Sequence, residues 1–455
     1  MRMICTWVLV LMVSAISDAV VASMKTISNS DYVARMAAAT ATAWPLLAAT
    51  TRLKNETRLY ADAQILVYDG ASAWLIDAQG YRAIDPQPVR ALGLPSSYSQ
   101  FGKLSWEGRP TVYIGLGSKL PEEEGMRMVR NPGAVPQIFL LATHEAFHFY
   151  GQEGWSFGVG SRAEHYPSRI APRQYRHHLI RSLHAAIQGE PQALGKARYW
   201  YDRWNAAFPD EVRDIEPFDI TEGTACYIEV LAERLAVGDP AEPRAWSAAV
   251  TSRFPSGSTL SVDSESYALG ALAIYLLDPQ TDDEWKNIVR GATPVSRLLA
   301  SVAAVVDEPD TAMNDRIAQH INEKNLALET TVGKVISQLK HPDTVRLLVP
   351  MTFVRGAIEM EGLYQSQGLA EDVYYRFSAR FSPTVGRIAF DLATVGVLIS
   401  KACGEEDAFV VLPLPVEVFQ GATPARLQIN TEGKTLDVPF PVKGAGAENV
   451  WCVRA

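Results

Sequence analysis

The sequence has no excess of basic residues. Its 42 Lys and Arg residues are outnumbered by 51 Asp and Glu residues, which gives a net charge of −9. A surface of that sign repels phosphate backbones, and no basic patch offsets it, so nucleic acid is not an expected partner. The chain also lacks internal repeats and low-complexity tracts. With 47% hydrophobic and 20% charged residues it has a globular composition, which excludes wholesale disorder and a collagen-like fold.

Long apolar runs are missing too, which excludes a polytopic membrane protein and predicts no stable membrane anchor. The one apolar run of note, residues 4–16, follows the basic start Met1-Arg2-Met3. It is too short to span a bilayer but has the length of a signal-peptide core, and Val20 and Ala22 suit a cleavage site after residue 22. We therefore expect residues 1–22 to direct export to the periplasm or the outside. A buried helix and an uncleaved tether are the alternatives.

Cysteine is scarce, with four residues in the whole chain. Cys5 leaves with the signal peptide, and Cys403 and Cys452 both lie in a β-rich C-terminal stretch. Because exported proteins fold under oxidising conditions, we expect a Cys403–Cys452 disulfide. Cys226 is then left over, on an apolar helix face.

The patterns along the chain predict an α+β protein. Residues 23–60 have helical periodicity, and residues 63–68, 73–76 and 111–116 are typical of strands, the first two flanking an Asp69-Gly70 turn. Helix dominates from residue 136 to about 340, and strand patterns return from residue 343. We expect a mostly helical body over 23–342, with a small N-terminal sheet inside 23–135 and a helical part over 136–342. A C-terminal all-β, sandwich-like domain over 343–455 follows.

One motif carries chemistry: His144-Glu145-Ala146-Phe147-His148, an H-E-x-x-H. Apolar residues on both sides predict a buried helix. Four residues at about 100° each bring both imidazoles to one helix face, where two ring nitrogens can bind a single zinc ion. Glu145 is then placed to act as the general base. The alternative is a helix face with two histidines that only pack.

A catalytic zinc ion usually takes a third protein ligand, and His is absent from position 154, where one known extension of the motif would place it. The best candidate is Glu222, in the first turn of a helix that Asp219 or Thr221 can cap. The small residues Gly223 and Ala225 would let this helix approach the His144 helix. A carboxylate that only satisfies the helix dipole is the alternative reading of Glu222. The rival ligands are Glu216 (expected in a loop before Pro217), Asp219, Glu229 and Glu233.

A third cluster, Ser266-Tyr267-Ala268-Leu269-Gly270, contains a tyrosine that can donate a hydrogen bond to an oxyanion. Packing on an apolar helix face is the alternative. Three further histidines, His177, His178 and His184, share one predicted helix, where packing and solvent exposure are favoured over a second metal site. Arg176 and Arg181 either bind a substrate carboxylate or pair with acidic neighbours.

Taken together, His144-Glu145-Ala146-Phe147-His148, Glu222-Gly223-Thr224 and Tyr267-Ala268-Leu269-Gly270 resemble the gluzincin branch of the zincin metallopeptidases, in particular uncharacterised secreted bacterial members. The resemblance implies a zincin-like catalytic body with His144, His148 and Glu222 as zinc ligands, Glu145 as general base and Tyr267 as oxyanion donor. Two features depart from the family: Thr221 replaces the usual Asn before Glu222, and no Gly-x-Met-Glu-Asn segment precedes the motif.

The sequence thus predicts an exported zinc metallohydrolase with one Zn2+ per chain, and it favours a peptidase acting on a peptide or protein substrate. The strand at residues 111–116 is a candidate edge for aligning an extended peptide. The alternatives are a non-catalytic binding protein on a zincin scaffold and a zinc hydrolase of non-peptide substrates. Substrate identity, endo- or exopeptidase action and oligomeric state stay open.

Overall fold

A computed structural model describes residues 26–49, 57–238, 243–255, 260–277, 282–354, 358–382, 386–404, 406–419, 425–431, 433–444 and 449–454. The predicted signal peptide and Cys5 lie outside these residues. The fold is α+β, as expected, with a small N-terminal sheet and a C-terminal region of strands. Backbone contacts divide the chain into two compact units. The first runs to Glu153 and includes Ile228–Trp246, and the second comprises Gly154–Tyr227 and the chain from Ser247.

The first unit is built on a five-stranded sheet. Its strands occur in the order β3-β2-β1-β5-β4, and all neighbours are antiparallel except the parallel pair β1–β5. The side chains of β1 are all buried, because both faces of this strand are covered. The strand bounds are β1 Gln64–Tyr68, β2 Ala73–Asp77, β3 Gly80–Ile84, β4 Phe101–Trp106 and β5 Arg109–Gly115.

The predicted β1–β2 hairpin is confirmed. Oδ1 of Asp69 accepts hydrogen bonds from the backbone N–H groups of Ala71 and Ser72, and Gly70 has a φ of 96° that favours glycine. The prediction that the strand at residues 111–116 forms an edge of the sheet is wrong, however. This strand, β5, is internal, because β4 pairs with it on the outer side. Sequence reading missed β4, in which Gly102 and the polar residues Lys103 and Ser105 interrupt the apolar pattern.

Two described helices precede the sheet, and both begin within the range predicted to be helical. Helix α1 is Asn29–Ala49 and α2 is Thr57–Asp62, and residues 50–56 are not described. The buried face of α1 includes Tyr32, Met36 and Trp44, all fully buried. Leu46, which follows Pro45 in the helix, is 40% exposed.

The remaining helices of the first unit lead to the H-E-x-x-H motif. Helix α3 is Pro86–Ala91 and α4 is Glu122–Arg130. Helix α5, Gln137–Ala146, is buried along most of its length and continues as a π-helical turn, Phe147–Gly151. Backbone N–H of Gln152 donates to the carbonyl oxygen of Phe147 at 2.8 Å, the i to i+5 bond that defines a π-turn.

The second unit contains most of the helices. Their bounds are α6 Ile170–Ile187, α7 Ala193–Ala207, α9 Pro243–Arg253, α10 Val262–Leu277, α11 Asp282–Val289, α12 Pro294–Leu298, α13 Thr311–Leu328 and α14 Lys334–Lys340. A π-helical turn, Glu329–Gly333, joins α13 to α14. Among the described helices, none has the length and apolar character needed to cross a membrane.

Helix α8, Pro209–Ala236, contributes to both units and corrects two expectations. It runs without a break through Pro217, so Glu216 is helical and not in a loop, and Glu222 lies in the middle of the helix and not in a capped first turn. Another segment packs against the helix near this proline: backbone N–H of Ser161 donates to the carbonyl oxygen of Asp214 at 2.9 Å. A Cβ atom on Gly160 would lie 2.2 Å from that same oxygen.

Gly223 of α8 faces a different helix from the one expected. A Cβ atom added to Gly223 would lie 2.4 Å from Cα of Gly270 in α10, and one added to Gly270 would lie 2.3 Å from Cα of Gly223. The two backbones touch at this pair. Gly223 therefore sets the crossing of α8 and α10, whereas the sequence reading assigned it to the approach of the His144 helix.

The C-terminal strands form a sheet with a branch, in the order β14-β15-β7-β11-β10-β9-β8-β6, while β13 pairs with β10 and β12. The strands are β6 Glu164–His165, β7 Thr344–Pro350, β8 Gly362–Gln365, β9 Asp372–Phe381, β10 Arg387–Ser400, β11 Asp407–Pro415, β12 Arg426–Thr431, β13 Lys434–Pro439, β14 Val442–Lys443 and β15 Val450–Cys452. Strand β6 comes from the helical part of the sequence, between the motif helix and α6. The predicted domain boundary at residue 343 stays a prediction.

Apolar side chains cover both faces of this sheet. Successive residues of a strand point to opposite faces, and on the central strands both sets are apolar. On β7, Leu347 and Val349 join a core shared with β9, β10, β12 and β13, while Leu348 faces Val335 and Leu339 of α14. The expected disulfide is confirmed: Cys403 and Cys452 are bonded across 49 residues. Cys226 is buried in α8 and lies outside this disulfide.

The glycine contact between α8 and α10 gives a testable prediction. Because a methyl group at residue 223 has no room, Gly223→Ala should lower the free energy of unfolding by roughly 1–3 kcal/mol. Gly125→Ala is the matched control, since a Cβ at this helical glycine meets nothing within 4 Å. Thermal and urea unfolding of both variants measure the effect. Equal stability of the two variants would contradict the close crossing.

Candidate metal centre

The two motif histidines lie at the junction of α5 and its π-turn. His144 and Glu145 are in the last turn of α5 and are buried, and His148 is half-buried in the π-turn. Within the π-turn the ring of Phe147 packs against Gly151, where a Cβ atom would lie 2.6 Å from that ring. The wider turn brings the two imidazoles edge to face with their ring centroids 4.5 Å apart. The spacing expected from the sequence is therefore present.

The imidazoles point the same ring nitrogen at one another. Nε2 of His144 lies 2.9 Å from Nε2 of His148. On the far side of each ring, Nδ1 of His144 lies 3.3 Å from Oε2 of Glu229, and Nδ1 of His148 lies 2.8 Å from Oε1 of Gln152. Oxygen acceptors at Nδ1 favour the tautomer that keeps its proton there. Both Nε2 lone pairs then face the same point, as metal ligands require.

Glu222 completes the group. One nitrogen from each histidine and one carboxylate oxygen of Glu222 all lie within 4.8 Å of one another. Among the described residues this is the group of three or more His, Cys, Asp or Glu side chains that could hold a metal ion. Glu222 and Glu229 are seven residues apart on α8, which is about two helical turns and places them on the same face. The three ligands predicted from the sequence are thus brought together.

The rival carboxylates have other positions. Asp219 pairs with Arg176, and Glu229 faces the outer nitrogen of His144. Glu216 is helical, and burial raises its pKa. Glu233 lies one turn beyond Glu229 and is half-buried. None of these four belongs to the triad.

Tyr267 adjoins the same carboxylate. It lies on α10, and its hydroxyl donates a hydrogen bond to Glu222. Burial raises the pKa of Tyr267, and the negative charges of Glu222 and Asp263 raise it further. The phenol therefore keeps its proton and remains a hydrogen-bond donor. Tyr267 therefore lies beside a residue of the triad, and its role as oxyanion donor stays a prediction.

Sequence reading missed Arg162, which comes from the loop between the motif and α6. Its Nη2 donates to Oε1 of Glu222, and its Nη1 lies 3.2 Å from Oδ1 of Asp263. The guanidinium also stacks over the ring of Phe218, with Cζ 4.8 Å from the ring centroid. No local pattern identifies such a residue, because it has no periodic neighbours and its partners are 60 and 101 residues away.

A buried ion network supports the helices that carry Glu222 and Tyr267. Arg176, fully buried on α6, donates to Asp219 on α8 and contacts Glu265 on α10 at 2.9 Å. Arg173 bonds to Glu211 and to the same Glu265. Burial raises the pKa of Glu265 to about 8, although both arginines act to lower it. Asp219 is one turn before Glu222, so the network fixes α8 beside the site.

The basic side chains of α6 that the sequence singled out pack or pair with other side chains of the protein. Arg176 thus pairs with acidic neighbours, and Arg181 does the same with Asp307 and Asp310. His178 stacks on Trp200 with ring centroids 4.4 Å apart, and its Nε2 lies 2.9 Å from Oδ1 of Asn314. Burial lowers the pKa of His177 to about 4, so this buried imidazole is neutral. The packing interpretation suits these side chains.

Comparison with known protein families, with curated proteins and with solved structures found no match for this chain. The resemblance to gluzincins, carried by residues 144–148, Glu222 and Tyr267, stays a prediction.

The position of Glu229 predicts its effect on metal binding. Removing the acceptor at Nδ1 of His144 in Glu229→Ala should weaken zinc binding by roughly 10- to 100-fold, because an unheld imidazole is a poorer ligand. Competition with a chelator measures this affinity. Glu233→Ala, one turn further along α8, should bind zinc as wild type does. Complete loss of zinc from Glu229→Ala, with zinc binding unaffected in Glu222→Ala, would contradict this assignment. It would make Glu229 the ligand and Glu222 the supporting residue.

Proposed function

We propose that this protein is an exported zinc-dependent hydrolase that cleaves peptide bonds. The convergence of His144 Nε2, His148 Nε2 and a Glu222 oxygen is the observation that carries the proposal. Two imidazoles and one carboxylate form the ligand set of many catalytic zinc ions, which keep a fourth position open. One Zn2+ per chain follows from the one triad among the described residues.

The spacing of the two histidine nitrogens is close to what a zinc ion needs. Two nitrogen ligands at about 2.0–2.1 Å from a tetrahedral ion lie roughly 3.3 Å apart. The observed Nε2–Nε2 separation of 2.9 Å requires only a small opening of the histidine pair. When bound, a zinc ion would supply Lewis-acid activation of water and of the scissile carbonyl group.

The chain's own residues supply the proton transfers. Glu145 directly follows a ligand on α5 and is buried, and it would accept the proton of the attacking water and return it to the leaving amine. Tyr267, which keeps its proton beside Glu222, would donate a hydrogen bond to the oxyanion. These roles are the ones that the sequence resemblance implied.

The position of β4 at the edge of its sheet is an argument for a peptide substrate. This outer strand exposes its alternate residues Phe101, Lys103 and Ser105. Tyr150 of the π-turn holds this edge beside the histidines: its hydroxyl donates to the carbonyl oxygen of Leu104 at 2.7 Å and accepts from backbone N–H of Thr111 at 2.9 Å. An extended peptide can add to such an edge by backbone hydrogen bonds.

Export is part of the proposal. The Cys403–Cys452 disulfide is typical of proteins that fold in an oxidising compartment. The basic start and the apolar run at residues 4–16 supply the expected signal. A non-catalytic binding protein and a hydrolase of non-peptide substrates stay as the competing functions.

Glu145→Gln tests the assigned chemistry. The zinc-loaded variant should keep one zinc per chain but lose activity on a broad peptide library by roughly 100-fold or more, because the amide cannot accept a proton. Zinc content and initial rates of cleavage are the two measurements.

Glu323→Gln, an exposed glutamate on α13, is the control and should behave as wild type. Full activity in Glu145→Gln would reject its role as base. Zinc binding without cleavage of any peptide by wild type would favour the binding protein or the non-peptide hydrolase.

A further inference from the structure

Arg162 differs in exposure from Arg173 and Arg176, the two arginines of the buried ion network. The side chains of Arg173 and Arg176 are at most 4% exposed, as are those of Glu265 and Asp219. These arginines therefore make ion pairs inside the protein and are not accessible to a ligand. The side chain of Arg162 is 40% exposed, whereas that of its partner Glu222 is 5% exposed. The guanidinium therefore sits where the buried carboxylate of the metal centre meets solvent.

The position of Arg162 is fixed before any ligand arrives. The loop in front of it is held by the hydrogen bond from Ser161 N–H to Asp214, and Gly160 allows the close approach. Stacking on Phe218 sets the plane of the guanidinium. A cation held in this way loses little conformational entropy when it binds an anion.

Arg162 also has hydrogen-bonding capacity beyond its two carboxylate contacts. A guanidinium has five N–H donors, and the contacts with Glu222 and Asp263 use one each on Nη2 and Nη1. Once Glu222 shares its negative charge with a divalent ion, Asp263 is the carboxylate left to balance Arg162. Since the side chain of Asp263 is 48% exposed, this pair is open to a competing anion.

We propose that Arg162 is a specificity residue that binds a carboxylate of the substrate. This inference rests on the proposed peptidase function. The guanidinium bonds directly to a ligand of the metal centre, and successive Cα atoms of a peptide are about 3.8 Å apart, so the carboxylate must lie within about one or two residues of the cleaved bond. Two sources fit: the free C-terminal carboxylate of a short leaving group and an acidic side chain beside the scissile bond.

Peptide binding to zinc-loaded Glu145→Gln protein tests the inference without turnover. The probes are fluorophore-labelled tetrapeptide pools that differ in one group: free C-terminus against C-terminal amide, and Glu against Gln at each position. We expect one of these carboxylates to tighten binding by about tenfold or more, because charge-assisted bidentate contacts with arginine are strong. The pair of pools that shows the difference identifies the source of the carboxylate.

The preference should disappear in Glu145→Gln/Arg162→Met, which keeps the apolar contact with Phe218 and removes the charge. Arg162→Lys keeps the charge without the planar fork and should retain part of the preference. The control is Arg213→Met, because Arg213 also pairs with two carboxylates, Asp210 and Asp214, but is 67% exposed on α8. Both Met variants should keep one zinc per chain.

Three results would overturn the inference. They are equal binding of the acidic and neutral probes, a preference that survives in Arg162→Met, and loss of zinc from Arg162→Met, which would make Arg162 a support for the ligand Glu222. Failure of the proposed function has a different signature: no peptide pool binds, and wild type with zinc cleaves none of them.

Discussion

The candidate metal centre depends on one helix face, which places a carboxylate on each side of the His144 ring. On α8, Glu222 joins the nitrogens that face the site, and Glu229, seven residues later, lies against the outer nitrogen of His144. The carboxylate beside Nδ1 favours the tautomer of His144 that leaves Nε2 free to bind a metal ion. Glu222 and Glu229 share the part of α8 that follows Pro217, where no proline interrupts the helix.

Buried ion pairs hold α8 in its position. A buried carboxylate without a partner is strongly unfavourable, so Glu211, Asp219 and Glu265 hold α8 and α10 to the two arginines of α6. The contact between Gly223 and Gly270 then removes the remaining freedom in the crossing. Glu222 and Tyr267 consequently meet as a hydrogen-bonded pair, with Arg162 on their solvent side.

The sequence was most informative where chemistry depends on local spacing. The histidine pair and Glu145 follow from helical periodicity, and Glu222 and Tyr267 from the small and polar residues around them. Contacts between residues distant in sequence could not be predicted from local patterns. The start of α8 was misplaced because Pro217 resembles a helix boundary. Strand β4 was missed because Gly102, Lys103 and Ser105 interrupt its apolar pattern. Arg162 lies in a loop, where no period relates a side chain to its partners.

The zinc content of the mature protein tests the central claim most directly. It should be measured for wild type and for folded His148→Ala, Glu222→Ala and Glu216→Ala, the last being a helical glutamate outside the triad. The structure predicts about one zinc per chain in wild type and in Glu216→Ala, and its loss from the other two. Absence of zinc from folded wild type, even after zinc is supplied, would contradict the metal centre. Retention of zinc by Glu222→Ala would contradict the assignment of the third ligand.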